Sequence, residues 1–130
     1  MKFDMSHFTK VQTKIFDKEI LISTLKQLKY IVFEGKSTLK GYEGQKKNID
    51  ILVKLNSSYD IGFSQNKDGS FSIIADWWGV TKVKEEDFTR MVNQNYSLNM
   101  IRREMKKKGY KIVEQKTLED QSIKVVVRKW

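Results

Sequence analysis

The twenty residues YDIGFSQNKDGSFSIIADWW, Tyr59–Trp78, decide the fold of this chain. Two runs rich in β-formers flank Asn66-Lys67-Asp68-Gly69, whose Asp-Gly step suits positive φ. Tyr59, Ile61 and Phe63 on one arm, and Phe71, Ile73 and Ala75 on the other, alternate with polar or small residues. That period of two predicts a β-hairpin with one face against a core. Trp77 and Trp78 close the second arm. Neighbours on a strand point to opposite sides, so one indole is expected inside and the other outside.

Downstream of the hairpin, Glu85-Glu86-Asp87 place three acids where a helix N-terminus favours negative charge. Phe88, Met91, Val92, Leu98, Ile101 and Met105 form an apolar sector on that helix, and Lys106-Lys107-Lys108 followed by Gly109 suits its end. Tyr110 to Lys116 and Ser122 to Lys129 read as two closing strands. Upstream, Ile49, Ile51, Val53 and Leu55 alternate along a strand. Gly41-Tyr42-Glu43-Gly44-Gln45 is a glycine-flanked loop, preceded by a strand from Ile31 to Lys40. Asp17 is a candidate N-cap for a helix carrying Ile20, Leu21, Leu25 and Leu28 on one side. A first strand spans Phe8 to Ile15. The expected fold is α+β and two-layered: a mostly antiparallel sheet with two helices on one face, in the order βαββ-ββ-αββ. Residues 1–130 read as a single domain. Residues 17–55 and 85–129 each run helix then hairpin, the pattern an internal repeat would leave.

Composition bounds the function. With 130 residues, 39% hydrophobic and 12% aromatic, the chain can bury a core of its own. It has no cysteine, which excludes disulfides, thiolate metal sites and cysteine nucleophiles, and one histidine, His7. No window has the apolar length of a membrane span. Met1 to Asp4 is too short and polar for a targeting peptide. The net charge is +9, distributed as +5 over Met1–Ser58, −2 over Tyr59–Ile101 and +6 over Arg102–Trp130. Lysine outnumbers arginine 21 to 4, with one alanine and no proline. That bias matches A+T-rich coding, which weakens a functional reading of the lysines.

Several blocks carry a resemblance. Met5-Ser6-His7-Phe8, Gly41-Tyr42-Glu43-Gly44-Gln45, Tyr59-Asp60-Ile61-Gly62-Phe63, Ala75-Asp76 and the stretch Ile123 to Trp130 stand in the order seen in the hypothetical chloroplast reading frame thirty-five family. That is one of the "ycf" families of algal plastids and cyanobacteria, and the chain resembles it from about Met5 to Trp130. The resemblance implies a plastid-encoded, stromal protein, for which Met5 would serve as the start. It implies no reaction.

Each candidate for chemistry meets a plainer reading. Ser6 and His7 would point to opposite faces of a strand, which works against a nucleophile pair, and no third group orients the ring. Gly41-x-x-Gly44 with Lys46 and Lys47 resembles the backbone-clamping loop of KH domains, but lies between strands where that loop joins helices. Lys108-Gly109-Tyr110-Lys111-Ile112-Val113 starts like an RRM signature, yet offers one stacking ring. No catalytic group, metal or cofactor is expected. Tyr59, Asp60, Asp76, Trp77 and Trp78 are the candidate macromolecule contacts, since an exposed tryptophan is a common interface anchor. Lys46, Lys47, Arg102, Arg103, Lys106, Lys107 and Lys108 are the candidate anion contacts. The expectation is a non-enzymatic accessory protein that binds another protein. The alternative is RNA or DNA binding through the basic terminal segments.

Overall fold

Ile61–Gln65 and Phe71–Asp76 pair antiparallel, from Gly62↔Ile74 to Gln65↔Phe71, in a computed structural model that describes residues 7–129. Asn66 N donates to Ser70 O at 2.7 Å, and Gly69, at φ +90°, closes the turn by donating to Asn66 O. Only the glycine of the Asp-Gly step takes positive φ. Asp68 instead accepts from Ser70 N and Oγ at 2.9 and 2.6 Å, which holds its carboxyl below the usual range.

In chain order the elements are β1 (Phe8–Gln12), α1 (Lys18–Gln27), β2 (Ile31–Lys40), β3 (Lys46–Lys54), β4 (Ile61–Gln65), β5 (Phe71–Asp76), α2 (Glu85–Lys107), β6 (Tyr110–Thr117) and β7 (Ile123–Lys129). The expected α+β class and element order are those observed. The five strands β1-β5-β4-β3-β2 form one antiparallel sheet, which places the opening hairpin at its centre. Asp17 caps α1 by accepting from Ile20 N at 3.0 Å. Leu21 and Leu25 of α1 and Phe88, Val92 and Tyr96 of α2 meet Ile51, Val53, Ile61, Phe63, Phe71, Ile73 and Ala75 in one core. Both helices therefore cover the same sheet face. Tyr96 also turns its hydroxyl to the backbone ahead of α1, accepting from Asp17 N at 3.0 Å.

Two expectations need correction. The central hairpin is not buried on one face only, because all six residues of β5 are buried. Ser72, Ile74 and Asp76 face away from the helices; the far half of the β2–β3 ribbon folds over Ile74 and Asp76, and Asn66 covers Ser72. A register shift between Glu34 and Ser37, with Gly35 at φ +114°, bends that ribbon. The Asp50 carboxylate accepts from Gln65 N at 2.8 Å, beyond the last β3–β4 pair. Leu39 and Ile49 then close on Ile74 as a second small core. A side chain at Gly62 would collide with Ile49, so the close approach requires glycine there.

The closing strands also do not join the main sheet. β6 and β7 make a two-stranded sheet of their own. The cause lies in α2, whose 23 residues run to about 35 Å. Its last buried residue is Leu98, so its C-terminal turns project past the core. The hairpin that follows packs back on that projecting half, with Arg102 Nη2 donating to Gln115 Oε1 at 2.7 Å.

Candidate functional site

Asp76 ends β5 at 1% exposure, on the face covered by the ribbon. Its Oδ2 accepts from Tyr42 N at 2.8 Å, and its Oδ1 from Trp78 N at 3.2 Å. One carboxylate thus ties the tip of the β2–β3 ribbon to the chain leaving β5. Gly79 N donates to Asp76 O at 3.1 Å, and Tyr59 N donates to Gly79 O at 2.9 Å, which draws the start of β4 into the same junction. A Cβ on Gly79 would fall within the Tyr59 ring. A Cβ on Gly41 would meet Phe8 at 2.6 Å and Asp76 Oδ2 at 3.2 Å. Both glycines are there for space.

Above this junction lies a cluster of rings. Trp78 is 64% exposed, the most open large apolar side chain among the described residues. Tyr42 meets it edge-on at a centroid distance of 5.1 Å, His7 at 5.8 Å and Tyr59 at 6.2 Å. His7 also stacks on Tyr42 at 4.5 Å. Such offset and edge-to-face pairs add about 0.5–1.5 kcal/mol each beyond area burial. Glu43, next in sequence, raises the Tyr42 phenol above its ordinary value through its charge and then through a hydrogen bond.

The paired tryptophans divide as the strand geometry predicts. Trp77 packs inward against the main core, its ring 6.1 Å from Phe88, and its enclosed Nε1 finds no acceptor among the described residues. Asp60 belongs to a different task. Its Oδ1 accepts from Leu55 N at 2.7 Å and its Oδ2 from Lys54 Nζ at 3.2 Å, which fixes the β3–β4 turn. The structure thus brings Tyr59, Asp76 and Trp78 together, places Trp77 beneath them, and commits Asp60 to the turn. Tyr42 was missed as a partner of Trp78. Thirty-six positions separate them, and nothing local to the glycine-flanked loop signals that it closes over β5.

The basic candidates scatter. Lys46 and Lys47 are exposed at the ribbon tip, where Lys46 pairs with Lys40 and Lys47 with Leu39. Arg103 reaches the α1 cap instead of solvent, donating from Nη1 to Asp17 Oδ2. The bond from Ile20 N and then this guanidinium hold the Asp17 carboxyl below its ordinary value. Arg102 is taken by Gln115, and Lys107 lies 3.9 Å from Glu104. Lys106 and Lys108 remain exposed at the end of α2. The loop Gly41–Gln45 is a single tight turn between β2 and β3, with Glu43 at φ +52° and Gly44 at +74°. Tyr110 lies in a two-stranded sheet, which lacks the four-strand platform of an RRM. Ser6, Met5 and Trp130 fall outside the described residues.

Fold and surface together define a small antiparallel α+β protein with a buried acid pinning an exposed aromatic cluster. The chain belongs to the protein family of unknown function DUF1257, which matches residues 24–126. It is 34% identical over 128 residues to a protein of Cyanophora paradoxa titled "Uncharacterized protein ycf35", covering 97% of this chain and 98% of that one. Proteins of the same title from Pyropia yezoensis and Guillardia theta are 35% and 30% identical over 132 residues, with the same coverage. The resemblance read from the sequence blocks is therefore shown. The ycf names, in a glaucophyte, a red alga and a cryptophyte, point to plastid-encoded genes. No solved structure matches the chain.

Proposed function

We propose that the protein is a non-catalytic accessory factor of the plastid stroma that docks another protein through the aromatic cluster at Trp78. The observation that carries this reading is an indole 64% exposed on a backbone that is held rigidly from beneath. A free tryptophan at a mobile loop tip would lose rotamer and backbone freedom on binding. Trp78 is already ordered by the Asp76 bond to its own N–H and by three neighbouring rings. Preorganised aromatic anchors of this kind carry most of the affinity at protein interfaces. Lys46 and Lys47, near Tyr42 in the chain at the ribbon tip, supply charge at the rim, where it acts on the rate of encounter and on partner choice.

The test compares wild type, Trp78→Ala and Lys26→Ala, each tagged and recovered from plastid stroma. Trp78→Ala forfeits three ring contacts but no part of the buried core, so it should unfold at a somewhat lower denaturant midpoint than the other two and still be folded when recovered. Loss of a specific partner with Trp78→Ala alone is the expected result. Identical partner lists for the three proteins would end this reading.

A further inference from the structure

The β6–β7 hairpin carries a second surface, independent of Trp78. Its register sorts its side chains by face. Gln115↔Val125 and Thr117↔Ile123 lie on the side toward α2, where Ile123 and Val125 line an apolar groove of about 320 Å³ with Leu98 and Ile101. The opposite face bears Lys111↔Arg128, Glu114↔Val126 and Lys116↔Lys124. Two of its three cross-strand pairs thus set cation against cation, an arrangement that destabilises an isolated ribbon. None of Lys116, Lys124 and Arg128 has a carboxylate within ion-pair distance among the described residues. Lys116, Lys124 and Arg128 are all exposed, so burial does not explain the choice of residues there.

From these observations we propose that the outer face of the β6–β7 hairpin binds the phosphate backbone of a nucleic-acid duplex. Charge complementarity selects a polyanion, because the Lys116–Lys124 doublet is a repulsion that an intervening anion converts into attraction. Lys124 and Arg128 are four residues apart, about 13 Å along the strand, long enough to meet more than one phosphate of a duplex, which carries a charge per about 1.7 Å of its axis. Among the described residues the face holds no aromatic side chain, and stacking rings are what single-strand binders use. Lys106 and Lys108 stand exposed at the foot of the hairpin and extend the positive track toward α2. Contact is to backbone alone, hence independent of base sequence.

The experiment is fluorescence anisotropy of the full chain on a labelled mixed-sequence duplex of about 20 base pairs, over a series from about 50 to 200 mM salt. Lys116→Gln with Lys124→Gln should lower the slope of log affinity against log salt by about two and weaken binding at least about tenfold at 0.1 M salt. Glu114→Gln should strengthen binding. Lys26→Gln with Lys67→Gln removes the same charge from α1 and the β4–β5 turn, and should leave the slope unchanged. Equal slope losses for the two double variants would reduce the effect to net charge and overturn the site. So would no binding by wild type at the lowest salt. Equal affinity for poly-glutamate would overturn the nucleic-acid assignment, and tighter binding of the unpaired strand would overturn the choice of duplex.

Discussion

Replacing Asp76 by alanine removes the carboxylate that hydrogen-bonds the ribbon tip to the chain leaving β5. Its two acceptor bonds differ in value. The bond from Tyr42 N is 2.8 Å long and links positions 34 apart. The bond from Trp78 N is 3.2 Å long and spans two residues, beside an exposed side chain where water can replace it. A hydrogen bond to a charged acceptor contributes about 1.5–3 kcal/mol, and a buried donor left unpaired costs a similar amount. The Tyr42 bond therefore sets the scale, the Trp78 bond adds a fraction, and relief of a buried carboxylate's desolvation offsets part. The expected loss is about 2–3 kcal/mol, against about 5–15 kcal/mol for a typical domain. At roughly 3–5 °C per kcal/mol for a chain of this size, the melting midpoint should fall by about 10 °C. Asp76→Asn keeps one oxygen for Tyr42 N and should lose about half as much. Urea unfolding of the three proteins measures both differences. A loss under about 0.5 kcal/mol for Asp76→Ala, or an asparagine variant no better than alanine, would refute the assignment of Asp76 as the tie.

Other perturbations follow from the same contacts. Gly79→Ala should push the Tyr59 ring out of place at a cost of about 1–3 kcal/mol, read by urea unfolding and by changed near-ultraviolet circular dichroism. Gly62→Ala should cost a similar amount, because its methyl meets Ile49, and its loss combined with that of Ile49→Ala should be less than the sum of the two. Asp17 has a folded pKa held below its ordinary 3.8, so its stabilisation is complete above that value and is lost as pH falls through the lowered one. Asp17→Asn should accordingly be less stable than wild type at neutral pH, with the gap closing as pH falls below the ordinary 3.8 in pH-dependent unfolding.

How much of this was legible in the sequence depends on the range of the interaction. The alternation at Tyr59–Ala75 is a local signal, and it identified the central hairpin and the face that meets the helices. The Asp17 cap and the division of Trp77 from Trp78 are local too, and both are where strand and helix geometry put them. The second buried face was not legible. Asp76 reads as an outward polar residue of a half-exposed strand, and its burial depends on a ribbon that begins 45 residues earlier. Its bend is written only as one glycine, Gly35, in a strand-like run. Arg103 shows the same limit on the basic side, since its partner Asp17 is 86 positions away.

The separate closing hairpin gives the physical reason these two failures differ. Each helix leaves through a left-handed residue into a tyrosine and then a strand: Lys29 at φ +72° before Tyr30, and Gly109 at φ +80° before Tyr110. Locally the two units are alike, so sequence reasoning treats them alike. What separates them is helix length. α1 has ten residues and delivers β2 to the sheet edge beside the core it has just covered. α2 has 23, and after Met100 none of its apolar residues packs on that core. A strand pair released there has no sheet edge within reach and no apolar surface to cover its outer face. Such a ribbon is free of the packing demands that shape β2 and β3, and like-charged pairs such as Lys116↔Lys124 can persist on it. Deleting Lys106–Lys108, about one turn at the exposed end of α2, spares the Arg103–Asp17 pair and should therefore leave the five-stranded sheet and its urea midpoint intact.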